Sequence, residues 1–211
     1  MTAVKEMHIT GVSRGKEFSP NLENNDDAIF HAVEDNLRLL GYKVSVCCEK
    51  DFVKQTCESQ VIYNMARDTS TLKRLKELEQ EGCFVVNSAF GIENCIRKRM
   101  TELLLEHQIP HPVSLIIPTD LKAIPEDWKY PCWVKRGDSH AMLKQDVSYA
   151  ETEQDVLNIL GDFKSRNIPS AVLNEHLAGD LVKFYGVQGT GFFYWYYSSP
   201  SGHSKFGLEA I

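Results

Sequence analysis

The chain has 211 residues, 43% hydrophobic and 25% charged, with a formal net charge of −6. That balance belongs to a globular protein with room for one large or two modest cores, and it argues against a nucleic-acid binder, which needs a basic face. No apolar run approaches the length that spans a membrane, and "MTAVKEMHIT" lacks the apolar core of a signal peptide.

In chain order, Met7 to Val12 reads as a strand, followed by the polar loop "SRGKEFSPNLENND". From Asp26 to Leu40 the apolar residues Ile29, Ala32, Val33, Leu37 and Leu40 recur at helical spacing, and Gly41 is a stop. Lys43 to Cys48 and Gln60 to Asn64 are the next strands. A helix from Thr69 to Glu81 carries Leu72, Leu75 and Leu78 and ends at Gly82, and "CFVV", Cys83 to Val86, is a fourth strand. Strand and helix alternate throughout this half, which predicts a parallel sheet with helical crossovers.

Asn87-Ser88 caps a helix expected from about Phe90 to His107. The two-proline turn "HQIPHPVS" leads to a strand at Leu115 to Ile117. Trp133 to Lys135 is next, and "AMLKQDV" is expected to pair with it across "RGDSH" as a hairpin. Thr152 to Arg166 is a helix; Ala171 to Glu175, Leu181 to Val187 and Phe192 to Tyr197 are strands. This half reads as antiparallel, so the expected class is α/β followed by α+β, with a boundary near residues 87–89 and domains at 1–88 and 89–211. The six cysteines form no C-x-x-C pair and no metal-like spacing with histidine; they read as reduced, mostly packed thiols of a cytoplasmic protein.

Four features of the second half carry chemistry. Lys98 lies on a helix bearing "RKR", which singly fits a solvated basic stripe. Lys135 ends the apolar strand "CWV", where a lysine can simply snorkel to water. Gly137, Ser139 and His140 in "RGDSHAM" fit a plain turn, and Glu175, Asp180 and Lys183 fit alternating charges on an open strand face.

Taken in order, "VVNSAFGIENCIRKRMTELLLEHQIPHP", "PCWVKRGDSHAMLKQDV" and "VLNEHLAGDLVKFYGV" resemble the ATP-grasp superfamily over nearly the whole chain. The resemblance implies a small parallel-sheet domain followed by an ATP-grasp module. It implies that Lys98 and Lys135 grip the nucleotide phosphates and that Gly137 and Ser139 belong to a loop closing over them. The "NEHL" hinge, with Glu175, His176 and Leu177, would meet the adenine edge, and Asp180 would hold the ribose. Two lysines on separate elements suit ATP, because point charges offset its phosphates at modest geometric cost, and a glycine lets backbone N–H groups approach them.

Within the superfamily, "GDSHAM" and "GDLVKFYGV" are similar to segments of the inositol tris/tetrakisphosphate and diphosphoinositol pentakisphosphate kinases. That similarity implies a phosphotransferase acting on a small phosphorylated polyol. His140 would touch the acceptor or the γ-phosphate, and Lys183 would bridge nucleotide and acceptor. Arg14, Lys16 and Arg136 either meet the anionic substrate or remain solvated. A carboxylate–amine ligase working through an acyl phosphate, and a non-catalytic nucleotide-binding protein or inactive fragment, are the alternatives. The family holds magnesium with acidic residues and an asparagine on late strands, near a "D-x-N" segment, and none precedes "GHSKFGLEAI". The expectation is therefore a module lacking its C-terminal metal-binding part, holding magnesium poorly and self-associating through uncovered elements.

Overall fold

A computed structural model describes residues 7–19, 23–187 and 189–197. The stretch "GHSKFGLEAI" lies outside the described residues. Two compact units divide the chain: one takes residues to Gln108 together with Asp138–Met142, the other takes Ile109–Gly137 and the chain from Leu143 onward. The division falls past the expected 88/89 because Ala89 and Ile92 are buried in the core beneath the first sheet.

In the first unit, strands β1 (His8–Ser13), β2 (Lys43–Cys48), β3 (Val61–Asn64) and β4 (Phe84–Val86) form a sheet of order β2-β1-β3-β4. All of its pairings are parallel, as the alternation predicted. Side-chain alternation sends Ile9, Val44 and Tyr63 to one face and Val12, Ile62 and Val85 to the other. Helix α1 (Glu23–Leu39) covers the first face. Helices α2 (Glu49–Phe52), α3 (Thr69–Gln80) and α4 (Ala89–Asn94) contribute to the core on the second, where Leu72, Leu75 and Leu78 are buried together. Asp68 caps α3 by accepting from the Thr71 N–H at 3.0 Å, and Gly82 (φ +97°) adopts the left-handed conformation at its end. The helix expected at 90–107 is divided into α4 and α5 (Arg97–Glu106).

One expectation about α1 fails. Its existence is read correctly, but Ile29 and Leu40 are 57% and 73% exposed and Ala32 and Val33 are also exposed. The inward face is instead Phe30, Glu34 and Leu37. Phe30 packs on Tyr63 with ring centres 5.0 Å apart, and Glu34 pairs with Arg38 at 2.6 Å. A ring stack and a tethered carboxylate fix the helix rotation against the simple apolar count.

The second unit is an antiparallel sheet of order β5-β8-β6-β7, from β5 (Ser114–Pro118), β6 (Cys132–Arg136), β7 (Val147–Ala150) and β8 (Ser170–Glu175). Helix α6 (Glu153–Ser165) packs Val156, Leu160 and Phe163 against Cys132, Val134, Ala171 and Leu173. A reciprocal Thr152–Asp155 capping box opens it. The hairpin partner of β6 is Val147–Ala150 and not "AMLKQDV", because Leu143–Asp146 closes a tight turn of its own before the strand begins. Strands β9 (Val182–Gly186) and β10 (Phe193–Tyr197) pair as a separate antiparallel hairpin. Among the described residues no helix is long and apolar enough to cross a membrane.

Candidate functional site

The register of the second sheet places one candidate cation at a defined position. With Cys132 and Val134 facing α6, Trp133 and Lys135 point to the opposite face. There Lys135 is half-buried, with Val147 of β7 and Val172 of β8 opposite it. Trp133, Tyr149 and Asn174 continue the same face. A half-buried cation on this face can attract an anion that reaches it.

Gly137 follows at once and crosses the start of β8. Its N–H donates to the Ser170 carbonyl at 2.8 Å. A side-chain carbon there would sit 2.6 Å from Ser170 Oγ and 2.9 Å from the Ser170 carbonyl oxygen, so only glycine fits this approach. Asp138–Met142 group with the first unit, in which His140 Nε2 lies 3.2 Å from the Phe18 carbonyl and Ser139 Oγ lies 3.3 Å from His140 Nδ1.

Arg136 differs from its expected role. It is 8% exposed and faces inward, with Nη1 3.5 Å from the carboxylate of the fully buried Asp146. Arg166 Nη1 reaches the other oxygen of the same carboxylate at 2.7 Å. The alternation that presents Lys135 outward necessarily turns Arg136 inward, so this guanidinium is committed to an internal ion pair.

The hinge residues form a tight network. The Glu175 N–H donates to the Val113 carbonyl at 2.9 Å, and its carboxylate accepts from the Val113 N–H at 2.9 Å. Glu175 can therefore offer a ligand its carbonyl, but its N–H is already used. His176 donates its N–H to Pro131 O at 3.2 Å, and its Nδ1 accepts from Trp133 Nε1 at 3.1 Å. Tyr149 packs edge-on against the same imidazole, with ring centres 5.3 Å apart. Leu177 and Asp180 are exposed on the loop that follows. Lys183, on β9, lies 5.7 Å from the ring centre of Tyr196 across the hairpin.

In the first unit, Lys98 occupies the first turn of α5, about half-exposed, with a long 4.0 Å pair to Glu102. Three consecutive cations, Arg97, Lys98 and Arg99, stand there at the positive end of the helix dipole, and Glu102 one turn on pairs with Lys98 and Arg99. Arg14 and Lys16 follow β1 at the carboxyl edge of the parallel sheet, beside the crevice where strand order reverses between β1 and β3. Arg14 is engaged by its own loop: it reaches Asp26 at 2.7 Å, Ser19 Oγ at 2.9 Å and the Met65 carbonyl at 3.2 Å. A cavity of about 20 Å³ beside it is lined by Lys16, Gly15 and Asp27.

Three residues here escaped the sequence reading. Arg67 stands just past β3 in "NMARDTS", its pKa lowered by burial and then by the neighbouring Arg14 charge. Its signal was a cation directly after a parallel strand. Glu49, fully buried, accepts from the N–H groups of Gly15, Arg67 and Asp68 and so ties the loops after β1 and β3 together. Asp146 had no local sequence signal. Among the described residues no three His, Cys, Asp or Glu side chains converge to hold a metal ion.

No protein-family model matches the chain, and no curated protein matches it significantly. Solved structures do. D-alanine–D-alanine ligase from Bacillus anthracis, complexed with ATP, superposes with a TM-score of 0.63 at 13% identity, covering 84% of this chain and 61% of that one. D-alanyl-alanine synthetase A from Vibrio cholerae gives 0.60 at 12%, covering 93% and 66%. The ATP-grasp ligase PsnB, complexed with a minimal precursor, gives 0.53 at 16%, covering 92% and 76%. The chain thus spans somewhat less than two thirds of the two D-alanine-joining enzymes. Identities this low speak for architecture alone, and in architecture the chain has the mixed α/β fold of the ATP-grasp ligases.

Proposed function

We infer that this chain is an ATP-dependent enzyme of ATP-grasp type, most economically a carboxylate–amine ligase. The observation that carries the reading is Lys135, half-buried on the outward face of its sheet and followed by a glycine that no larger residue can replace. In a fold shared with ligases, that lysine suits triphosphate binding, its ammonium attracting the phosphates. The Glu175 carbonyl with Leu177 meets the adenine edge.

The chemistry balances in two steps. A substrate carboxylate oxygen attacks the γ-phosphorus, the bond to the bridging oxygen breaks, and ADP leaves, giving an acyl phosphate. An amine nitrogen then attacks the acyl carbon, expelling phosphate and losing a proton. Cations contribute by stabilising charge in the first step. Magnesium, which the family resemblance implies, would be held by one or two carboxylates together with the nucleotide phosphates and would help to offset their charge.

A second reading, phosphotransfer to a phosphorylated polyol such as an inositol phosphate, is favoured by one observation. Arg14, Lys16 and Arg67 stand at one edge of the first sheet, three cations among which Asp26 engages Arg14. In that reading His140 and Lys183 handle the acceptor. ADP release separates the two. Turnover with carboxylate and amine pairs but not with inositol phosphates supports the ligase, and the reverse supports the kinase. ATP binding with no turnover on either set leaves a nucleotide-binding protein, and absence of ATP binding sinks all three.

A further inference from the structure

Three aromatic side chains meet on the face of the second sheet that carries Lys135. Trp133 and Lys135 are two residues apart on β6 and so share that face. Tyr149 stands directly opposite Trp133 on β7, with ring centres 5.1 Å apart and the rings crossed at 63°. The third is His176, which follows β8 directly. Its N–H donates to the Pro131 carbonyl at 3.2 Å, and its ring lies edge-on to Tyr149. The indole Nε1–H of Trp133 donates to His176 Nδ1 at 3.1 Å. An indole nitrogen can only donate. Nδ1 is therefore the bare nitrogen of a neutral imidazole, and the ring proton sits on Nε2. A protonated imidazole would set N–H against N–H and break the bond.

We propose that His176 is a positioning residue for nucleotide binding that acts through Trp133: as a neutral acceptor it holds the indole in one rotamer on the Lys135 face, so that a planar base meets a fixed aromatic wall. The proposal rests on the nucleotide reading given above, in which the residues on either side of His176 meet the base. A tryptophan on a pleated surface has several staggered rotamers open to it. Here the bond to His176 and the edge contact with Tyr149 select one before any ligand arrives, and a pre-set wall costs a ligand less ordering. Without the acceptor the indole turns more freely, the competent fraction falls, and apparent affinity falls in the same proportion. Protonation of His176 has the same effect. The groups around the imidazole are Tyr149 from β7, Lys135 farther along the Trp133 strand, and Glu175 before it, whose carboxylate accepts from the Val113 N–H at 2.9 Å. Tyr130, next to Pro131, packs with the core on the α6 side instead.

The test replaces His176 with leucine and with asparagine in the full chain. Leucine removes the acceptor, and asparagine restores one without a titrating ring. ATP affinity is measured at about pH 7.5 and about pH 5.5, either side of ordinary imidazole titration. The indole N–H resonance of Trp133 is followed by NMR, assigned by its loss in Trp133→Phe. His176→Leu should bind ATP about fivefold more weakly at the higher pH, the fold-change of one net hydrogen bond, and His176→Asn should recover most of that loss. On acidification the wild type should weaken about fivefold relative to His176→Asn, a ratio that cancels the titration of ATP itself. Its indole resonance should move with pH, while that of the asparagine variant stays. Wild-type affinity in His176→Leu overturns the proposal, as does an asparagine variant that loses as much as the leucine one, which marks a purely structural role. The same pH response in wild type and His176→Asn also overturns it. If His176→Leu does not fold, that pH comparison decides alone. Wild-type protein that fails to bind ATP removes the nucleotide reading and this proposal together, whereas wild-type binding that the leucine variant retains removes the proposal alone.

Discussion

Replacing Glu49 with glutamine tests how the loops that carry Arg14, Lys16 and Arg67 are held. The Glu49 carboxylate is wholly buried and accepts three backbone N–H groups, those of Arg67 at 2.8 Å, Asp68 at 2.7 Å and Gly15. An amide has one acceptor oxygen. Placed on the Arg67 and Asp68 side, it keeps two bonds but loses their charge assistance, about 1 kcal/mol each. The NH₂ group then faces the Gly15 N–H, leaving a buried donor unsatisfied at a cost of about 1–3 kcal/mol. The sum is roughly 3–5 kcal/mol, a fall in melting temperature on the order of 10 °C for a chain of this size. Urea and thermal unfolding of wild type and Glu49→Gln measure it. A loss below about 1 kcal/mol would refute the account of Glu49 as the tie between the loops.

Two further predictions rest on geometry and titration. Gly137→Ala should cost about 1–3 kcal/mol in urea unfolding, since the added carbon meets Ser170 Oγ at 2.6 Å and its carbonyl at 2.9 Å; pairing it with Ser170→Gly removes only the hydroxyl contact, so full rescue would contradict the backbone clash. Desolvation, aided by the charges of Cys48, Cys57 and Asp51, pushes the Cys47 thiol up to about 11, and desolvation pushes Tyr63 up to about 12. The unfolded chain releases these protons near 9.0 and 10.0, so it holds fewer protons than the folded state above pH 9. Their contribution is therefore complete below pH 9 and is lost as pH rises through about 11. Urea midpoints at pH 8 to 11 should fall, with a shallower fall in Cys47→Ser; a flat or rising profile contradicts the burial of these groups.

Much of the architecture was legible because local signals agreed. Leu72, Leu75 and Leu78 at helical spacing before Gly82 leave little choice but α3, and the strand–helix alternation around it specifies a parallel sheet. What escaped depended on partners far along the chain. The rotation of α1 is set by Tyr63, which lies on β3 beyond an intervening strand, so the stripe through Ile29 and Val33 pointed to the wrong face. The turn before β7 is made by an aspartate whose second partner, Arg166, is twenty residues away. Lys135 and Arg136 are adjacent cations, the first read as a phosphate clamp and the second as a substrate contact or a solvated residue, and the pleat sends them to opposite faces. Lys135 faces outward from α6, while Arg136 is consumed in the interior. The resemblance of segments supplied the fold type, which no single residue could, and the superpositions bear that part out. It did not reveal Arg67, whose placement beside Arg14 depends on the pairing of β1 with β3.

Calorimetric titration of ATP into wild-type protein and into Lys135→Ala tests the central claim most directly. The account predicts saturable binding by wild type and a loss of about 30-fold or more in the variant. Circular dichroism and melting should stay close to wild type, because Lys135 lies outside the α6-facing core. Equal affinity in the two proteins, or no binding by a folded wild type, would contradict it.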